Sequence, residues 1–167
     1  ANREAINDSI YLNQLRSRVT DADDILAYRR KSNNIYKGLL NLVNYEAGGV
    51  LDWTSQNKLK ANQTIQDHHI FPKAFIRKNN LYKGNFEAQE LIDCVANRAL
   101  ISKINNLKIG AKPPSQYMAQ ISSINKNLKK CLQSHLIDDI IMKPELDDIF
   151  VDFVRQRASA MYDLVEK

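Results

Sequence analysis

Apolar residues recur every three to four positions along most of this chain, and the period changes in the middle, at Thr64. Ile6 and Ile10 are four apart, as are Tyr11, Leu15 and Val19, which predicts an amphipathic helix. Thr20-Asp21-Ala22-Asp23 reads as a break and a new N-cap. A helical pattern then runs through Ile25, Tyr28, Ile35, Leu39 and Val43 to Gly48-Gly49, an expected C-terminal cap and turn. Leu51 to Asn62 is polar and is expected to loop around Trp53. From Thr64 to Phe71 the residues are short-period and β-compatible, and Pro72 ends the run. The stretch from Lys73 to Ala96 reads as a long insertion with one short helix near Glu87–Ile92. A second apolar run, Ala99-Leu100-Ile101, follows. Ser102 is placed to cap a helix carrying Ile104 to Ile109, closed by Gly110. Pro113-Pro114-Ser115 opens another helix, and Leu128 to Lys167 is helical in period throughout.

The fold class that follows is mostly α, of the α+β kind: a helical domain around one central strand–loop–strand–helix unit. We divide the chain into an N-terminal helical part (1–60), a central unit (61–125) and a C-terminal helical part (126–167), expected to form one compact domain. At 167 residues it has the length of one sizeable domain. With 44% hydrophobic and 26% charged residues, disorder is not expected. Apolar runs such as Ile140-Ile141-Met142 fall far short of the ~20 residues that cross a bilayer, so no membrane partner is expected. The first residues include acids and lack an apolar stretch, unlike a signal peptide, and no Met begins them, which suggests a piece of a longer protein. Cys94 and Cys131 form no CxxC pair and are expected to be idle thiols in a reducing cytoplasm.

The net charge of +5 is unevenly placed. His68 to Lys130 holds eleven basic residues against three acids, and the rest of the chain is slightly acidic. A basic segment of this kind points to an anionic partner, nucleic acid foremost, and reads equally well as a solvated, Lys-rich surface. The adjacent histidines, His68 and His69, fall inside that segment. Imidazole binds metals or takes a proton near neutral pH. Neighbours in a regular strand point to opposite faces, so both serve one site only where the strand ends or bulges.

The ordered set Asp67-His68-His69-Ile70-Phe71-Pro72-Lys73, then Asn97-Arg98-Ala99-Leu100-Ile101, then Asn105-Asn106-Leu107-Lys108-Ile109-Gly110 with Lys112-Pro113-Pro114 resembles the HNH, or ββα-metal, endonucleases. The nine-residue step from Asn97 to Asn106 matches the family's strand-then-helix interval. The set is more similar still to the C-terminal HNH domain of GmrSD-type restriction proteins and their phosphorothioate-sensing relatives, with Asn44-Tyr45-Glu46-Ala47-Gly48-Gly49 as the upstream match. The resemblance covers roughly Leu39 to Met118.

The resemblance implies roles. His69 matches the catalytic base. His68 and Asn106 match the metal ligands, with Asn105 as the alternative to Asn106. Asn97 matches the middle Asn that holds the motif loops and the base in place. Asp67 is either a partner of a ligand histidine or an ordinary exposed acid. The implied cofactor is a divalent metal, Mg²⁺ or Mn²⁺, with Ni²⁺ or Zn²⁺ tolerated by N/O ligands. Lys73, Arg98, Lys103, Lys108 and Lys112 are candidate phosphate contacts, each equally readable as a surface cation. The implied activity is DNA nicking in a bacterial, cytoplasmic anti-phage restriction system, with an N-terminal nucleotide-binding sensing domain as partner. An inactive HNH-derived DNA-binding module and a purely structural helical domain are the competing readings.

Overall fold

The computed structural model of the chain describes residues 10–60, 65–103, 105, 109–144 and 147–167. Residues 10–16 are helical. Asp21 then caps α1 (Ala22–Leu26), its side chain accepting from the backbone N–H of Asp24. The apolar period from Ile25 to Val43 does not make one helix. Tyr28 turns its carbonyl to the N–H of Val95 at 2.8 Å, and Asn33 captures the N–H groups of Ile35 and Tyr36 to begin α2 (Asn34–Glu46). α2 buries Tyr36, Leu39, Leu40 and Val43. Gly38 is required there for closeness: a Cβ would strike the Tyr11 hydroxyl and lie 2.9 Å from Leu15.

The chain then loops around Trp53, which is completely buried and stacks on Tyr117 with ring centroids 6.3 Å apart. β1 (Ile65–His69) pairs antiparallel with β2 (Arg98–Ser102), from Ile65↔Ser102 to His69↔Arg98. The segment between them is richer than its composition suggests. It holds α3 (Lys73–Lys78), a 3₁₀ turn (Asn80–Tyr82), α4 (Phe86–Leu91) and a second 3₁₀ turn (Val95–Asn97). Asn79 and Asn85 supply the caps that divide it, each accepting from a backbone N–H ahead of it.

After β2, residues 103, 105 and 109 are helical. α5 (Pro114–Ile124) starts on proline, as its opening residues foretell. The C-terminal period is also interrupted: α6 (Leu128–Ser134) and α7 (Phe150–Glu166) are separate. α6 ends because Leu136 takes φ 56° and the N–H of Ile137 returns to Leu132 O at 3.0 Å, a Schellman-type closure built without glycine. α7 packs against α1, α2, α4 and the Val95–Asn97 turn. One hydrophobic core runs from Leu15 to Val165, with Phe71 wedged between Phe150 and Phe153. The molecule is therefore mostly helical with a small two-stranded antiparallel sheet. Among the described residues no helix is long and apolar enough to cross a membrane. Cys94 and Cys131 are free and buried.

Candidate active site at the end of the first strand

β1 pairs residue for residue up to His69↔Arg98, without a bulge. Its pleat therefore puts Asp67 and His69 on one face, with Arg98 beside them, and His68 on the other, opposite Ala99.

The Asp67 face is an ionic network. His69 Nε2 lies 2.8 Å from Asp93 Oδ1, and Lys73 Nζ lies 2.9 Å from Asp93 Oδ2. Arg98 donates through Nη2 to Asp93 Oδ1 at 2.8 Å and through Nη1 to Asp67 Oδ1 at 3.3 Å. Tyr36 donates its hydroxyl to Asp67 Oδ2 at 2.5 Å. Burial opposes ionisation of Asp93, but hydrogen bonds from Lys73 and His69 outweigh it and hold the carboxyl at about 2. Burial, aided by the Arg98 charge and resisted by Asp93, lowers His69 to about 4. At neutral pH His69 is thus an uncharged imidazole beside a carboxylate. A carboxylate only accepts, so Nε2 carries the proton and Nδ1 the lone pair.

Asn97 is fully buried and fastens the chain immediately after His69. Its Oδ1 accepts from Phe71 N at 2.8 Å, and its Nδ2 donates to Phe71 O at 3.1 Å and Ile92 O at 2.9 Å. Its backbone carbonyl accepts from Ile70 N at 2.9 Å. From the other side, the Tyr117 hydroxyl donates to Ile70 O at 2.6 Å. Every polar backbone group of Ile70 and Phe71 is thereby held, and His69 sits at the mouth of a rigid turn.

His68 is 9% exposed. Of the two asparagines after β2, Asn105 is completely buried with both ends of its amide engaged. Its Nδ2 donates to Asp52 Oδ2 at 2.8 Å and its Oδ1 accepts from the Thr54 hydroxyl. Burial opposes the Asp52 charge, but donors from Ser55, Ser102 and Thr54 hold it at about 2. This arrangement ties the helical turn after β2 to the loop around Trp53. Asn106 and Lys108 lie outside the described residues. Among the described residues no group of three His, Cys, Asp or Glu side chains forms a metal cluster.

The basic residues divide. Arg98, with a side chain 5% exposed and two carboxylate partners, is an internal strut of the sheet and has no free surface to offer a phosphate. Lys73 is paired with Asp93 at the rim. Lys103 is exposed, and Lys112 is half-buried and donates to Gln120 at 2.9 Å. Sequence reasoning passed over Asp93 and Asp52. The one hint of Asp93 was an acid in a basic stretch, four residues before Asn97.

No protein-family model matches the chain. No solved structure matches it. It is similar to an uncharacterized protein of Methanocaldococcus jannaschii, 28% identical over 152 residues, covering 78% of this chain and 25% of that protein. The chain thus spans about a quarter of that relative's length.

Proposed function

We propose that this chain is an HNH-type, metal-dependent endonuclease domain that nicks DNA, with the strand pair and the helical turn after β2 as its ββα-metal unit and an anti-phage restriction system as its setting. The observation that carries this reading is the fastening of the turn after His69 by Asn97, together with a neutral His69 whose Nε2 is held by Asp93. An imidazole presented in one tautomer from a rigid turn is what abstraction of a proton from water requires.

In this reading His69 takes the proton of the attacking water through Nδ1, and Asp93 stabilises the imidazolium that forms. Asn97 and Tyr117 are positioning residues. Lys103 and Lys112, with Lys108, hold phosphates beside the cut, and Lys73 joins them by exchanging Asp93 for the backbone. His68 and Asn106 would hold a divalent cation, Mg²⁺ or Mn²⁺ with Ni²⁺ or Zn²⁺ also accepted by an imidazole and an amide oxygen. When bound, the cation supplies charge neutralisation at the scissile phosphate. With Asn105 engaged by Asp52 and Thr54, Asn106 is the asparagine we assign to it.

The opposite projection of His68 and His69 from an unbulged strand favours a second reading, an HNH-derived module that grips DNA without cutting. Supercoiled plasmid separates the two. Incubation with Mg²⁺, Mn²⁺, Ni²⁺ or EDTA is run beside His69→Ala. Metal-dependent conversion to open circles, lost with EDTA and in the mutant, supports the nuclease. DNA retention without conversion in any metal supports the module. Equal nicking by the mutant rejects His69 as base.

A further inference from the structure

Away from the strand pair, α7 and the turn after α6 line an open cleft of about 320 Å³, within the size range of small-ligand sites. Leu136, Ile137, Phe153 and Ala160 make its apolar walls, and Gln133, Gln156 and Asp138 stand with Arg157 among its polar groups. Arg157 is the unusual member. It is 3% exposed. Nε donates to His135 O at 3.0 Å, and Nη1 donates to Ala96 O at 2.7 Å and Val95 O at 3.4 Å. Among the described residues no acceptor meets Nη2, and none of the ion pairs includes Arg157. Burial lowers this guanidinium only to about 10, so it stays charged at neutral pH. Asp138 makes no ion pair with it; its carboxylate accepts from Ile140 N at 2.9 Å. A buried cation whose partners are all neutral carbonyls is incompletely compensated. Here its remaining N–H pair belongs to a side chain that lines an apolar cleft.

We infer that this cleft binds a small carboxylate carrying a compact apolar group, the carboxylate accepting from Arg157 Nη2 and the apolar group lying against Leu136, Phe153 and Ala160. The rim amides of Gln133 and Gln156 supply second donors to the carboxylate. The site is independent of the nuclease reading. It is nevertheless joined to the strand end, because Arg157 holds the carbonyls of Val95 and Ala96, the two residues before Asn97. Occupation of the cleft therefore registers in the Val95–Asn97 turn.

The test is a titration of the whole chain, followed by backbone amide NMR, with benzoate, acetate and benzamide. Benzoate should shift the amides of 133–138, 156–160 and 95–97 saturably, with acetate and benzamide each at least about tenfold weaker. Ala160→Phe fills the cleft without touching any Arg157 hydrogen bond and should abolish the shifts in an otherwise unchanged spectrum. Arg157→Lys should weaken benzoate by a similar factor. No saturable shift with benzoate, or identical shifts in Ala160→Phe, overturns the site. Benzamide binding as tightly as benzoate overturns the role of the Arg157 charge.

Discussion

Asp93 Oδ1 lies 2.8 Å from His69 Nε2 and 2.8 Å from Arg98 Nη2, so one carboxylate oxygen serves both an imidazole and a guanidinium. The two neighbours act on His69 in opposite directions. Asp93 favours the imidazolium, and Arg98, together with burial, disfavours it, leaving the pKa at about 4. Asp93 thus fixes the tautomer of His69, while burial and Arg98 set its low basicity.

Asp93→Asn removes the larger of the two carboxylate influences that raise the His69 pKa, Asp67 being the other, so titration of the His69 ring by NMR should move further down from about 4. Loss of an orienting carboxylate should also lower nicking about 10–100-fold, by analogy with removal of a partner behind a functional histidine. A His69 pKa that rises in the mutant would contradict the orienting role.

The same pKa sets a pH profile. A base that is already deprotonated above about 4 should leave nicking at limiting DNA concentration flat between pH 8 and 5 and falling only below that. An acid limb centred at 6.5 would show that another group, or a reorganised His69, is the base.

Asn97→Ala strands the N–H and C=O of Phe71 and the carbonyl of Ile92 in the core. Each buried group left without a partner costs about 1–3 kcal/mol, so urea unfolding should show a loss of roughly 3–5 kcal/mol. A change under ~1 kcal/mol would mean that the turn after His69 holds without Asn97.

Acid should destabilise the fold through His135. Burial lowers its pKa to about 4, with the Leu51 carbonyl opposing that shift from 2.9 Å. The unfolded chain, with histidine near 6.5, binds the proton first. The stability from keeping His135 neutral is therefore fully present above pH 6.5 and is lost as pH falls towards 4. The loss is on the order of 3 kcal/mol between pH 7 and 4. His69, shifted the same way, adds to it. His135→Gln should flatten that part of the curve of unfolding free energy against pH.

DNA binding should separate exposed from internal cations. Lys103→Ala and Lys112→Ala should each reduce the slope of log affinity against log salt by about 1. Arg98→Met should instead lower stability and leave the salt slope unchanged, because Arg98 is the inner cation shared by Asp67 and Asp93, which keep Lys31 and Lys73 at the rim. Equal slopes in wild type and both lysine variants would remove those lysines from the interface.

Local chemistry was legible in the residues themselves. Asp21 as a cap, Pro114 at a helix start, Gly49 in a turn with φ 101° and Pro72 after a strand each act through their own backbone preferences, and each stands where the sequence placed it. The helical majority and the two short strands follow from apolar period alone. The interruptions did not, because they depend on partners far away in the chain: Tyr28 breaks from its helix to reach Val95, and Asn79 and Asn85 divide an insertion that composition leaves featureless. The site divides in the same way. His69 and Asn97 stand out as residue types in an ordered motif, and the sequence alone marked them. Tertiary structure alone decided that Arg98 is an internal strut, that Asn105 belongs to Asp52 and that Asp93 belongs to His69. Those assignments rest on burial and on hydrogen bonds whose geometry exists only after β1 and β2 pair and the segment between them folds back on the strand end.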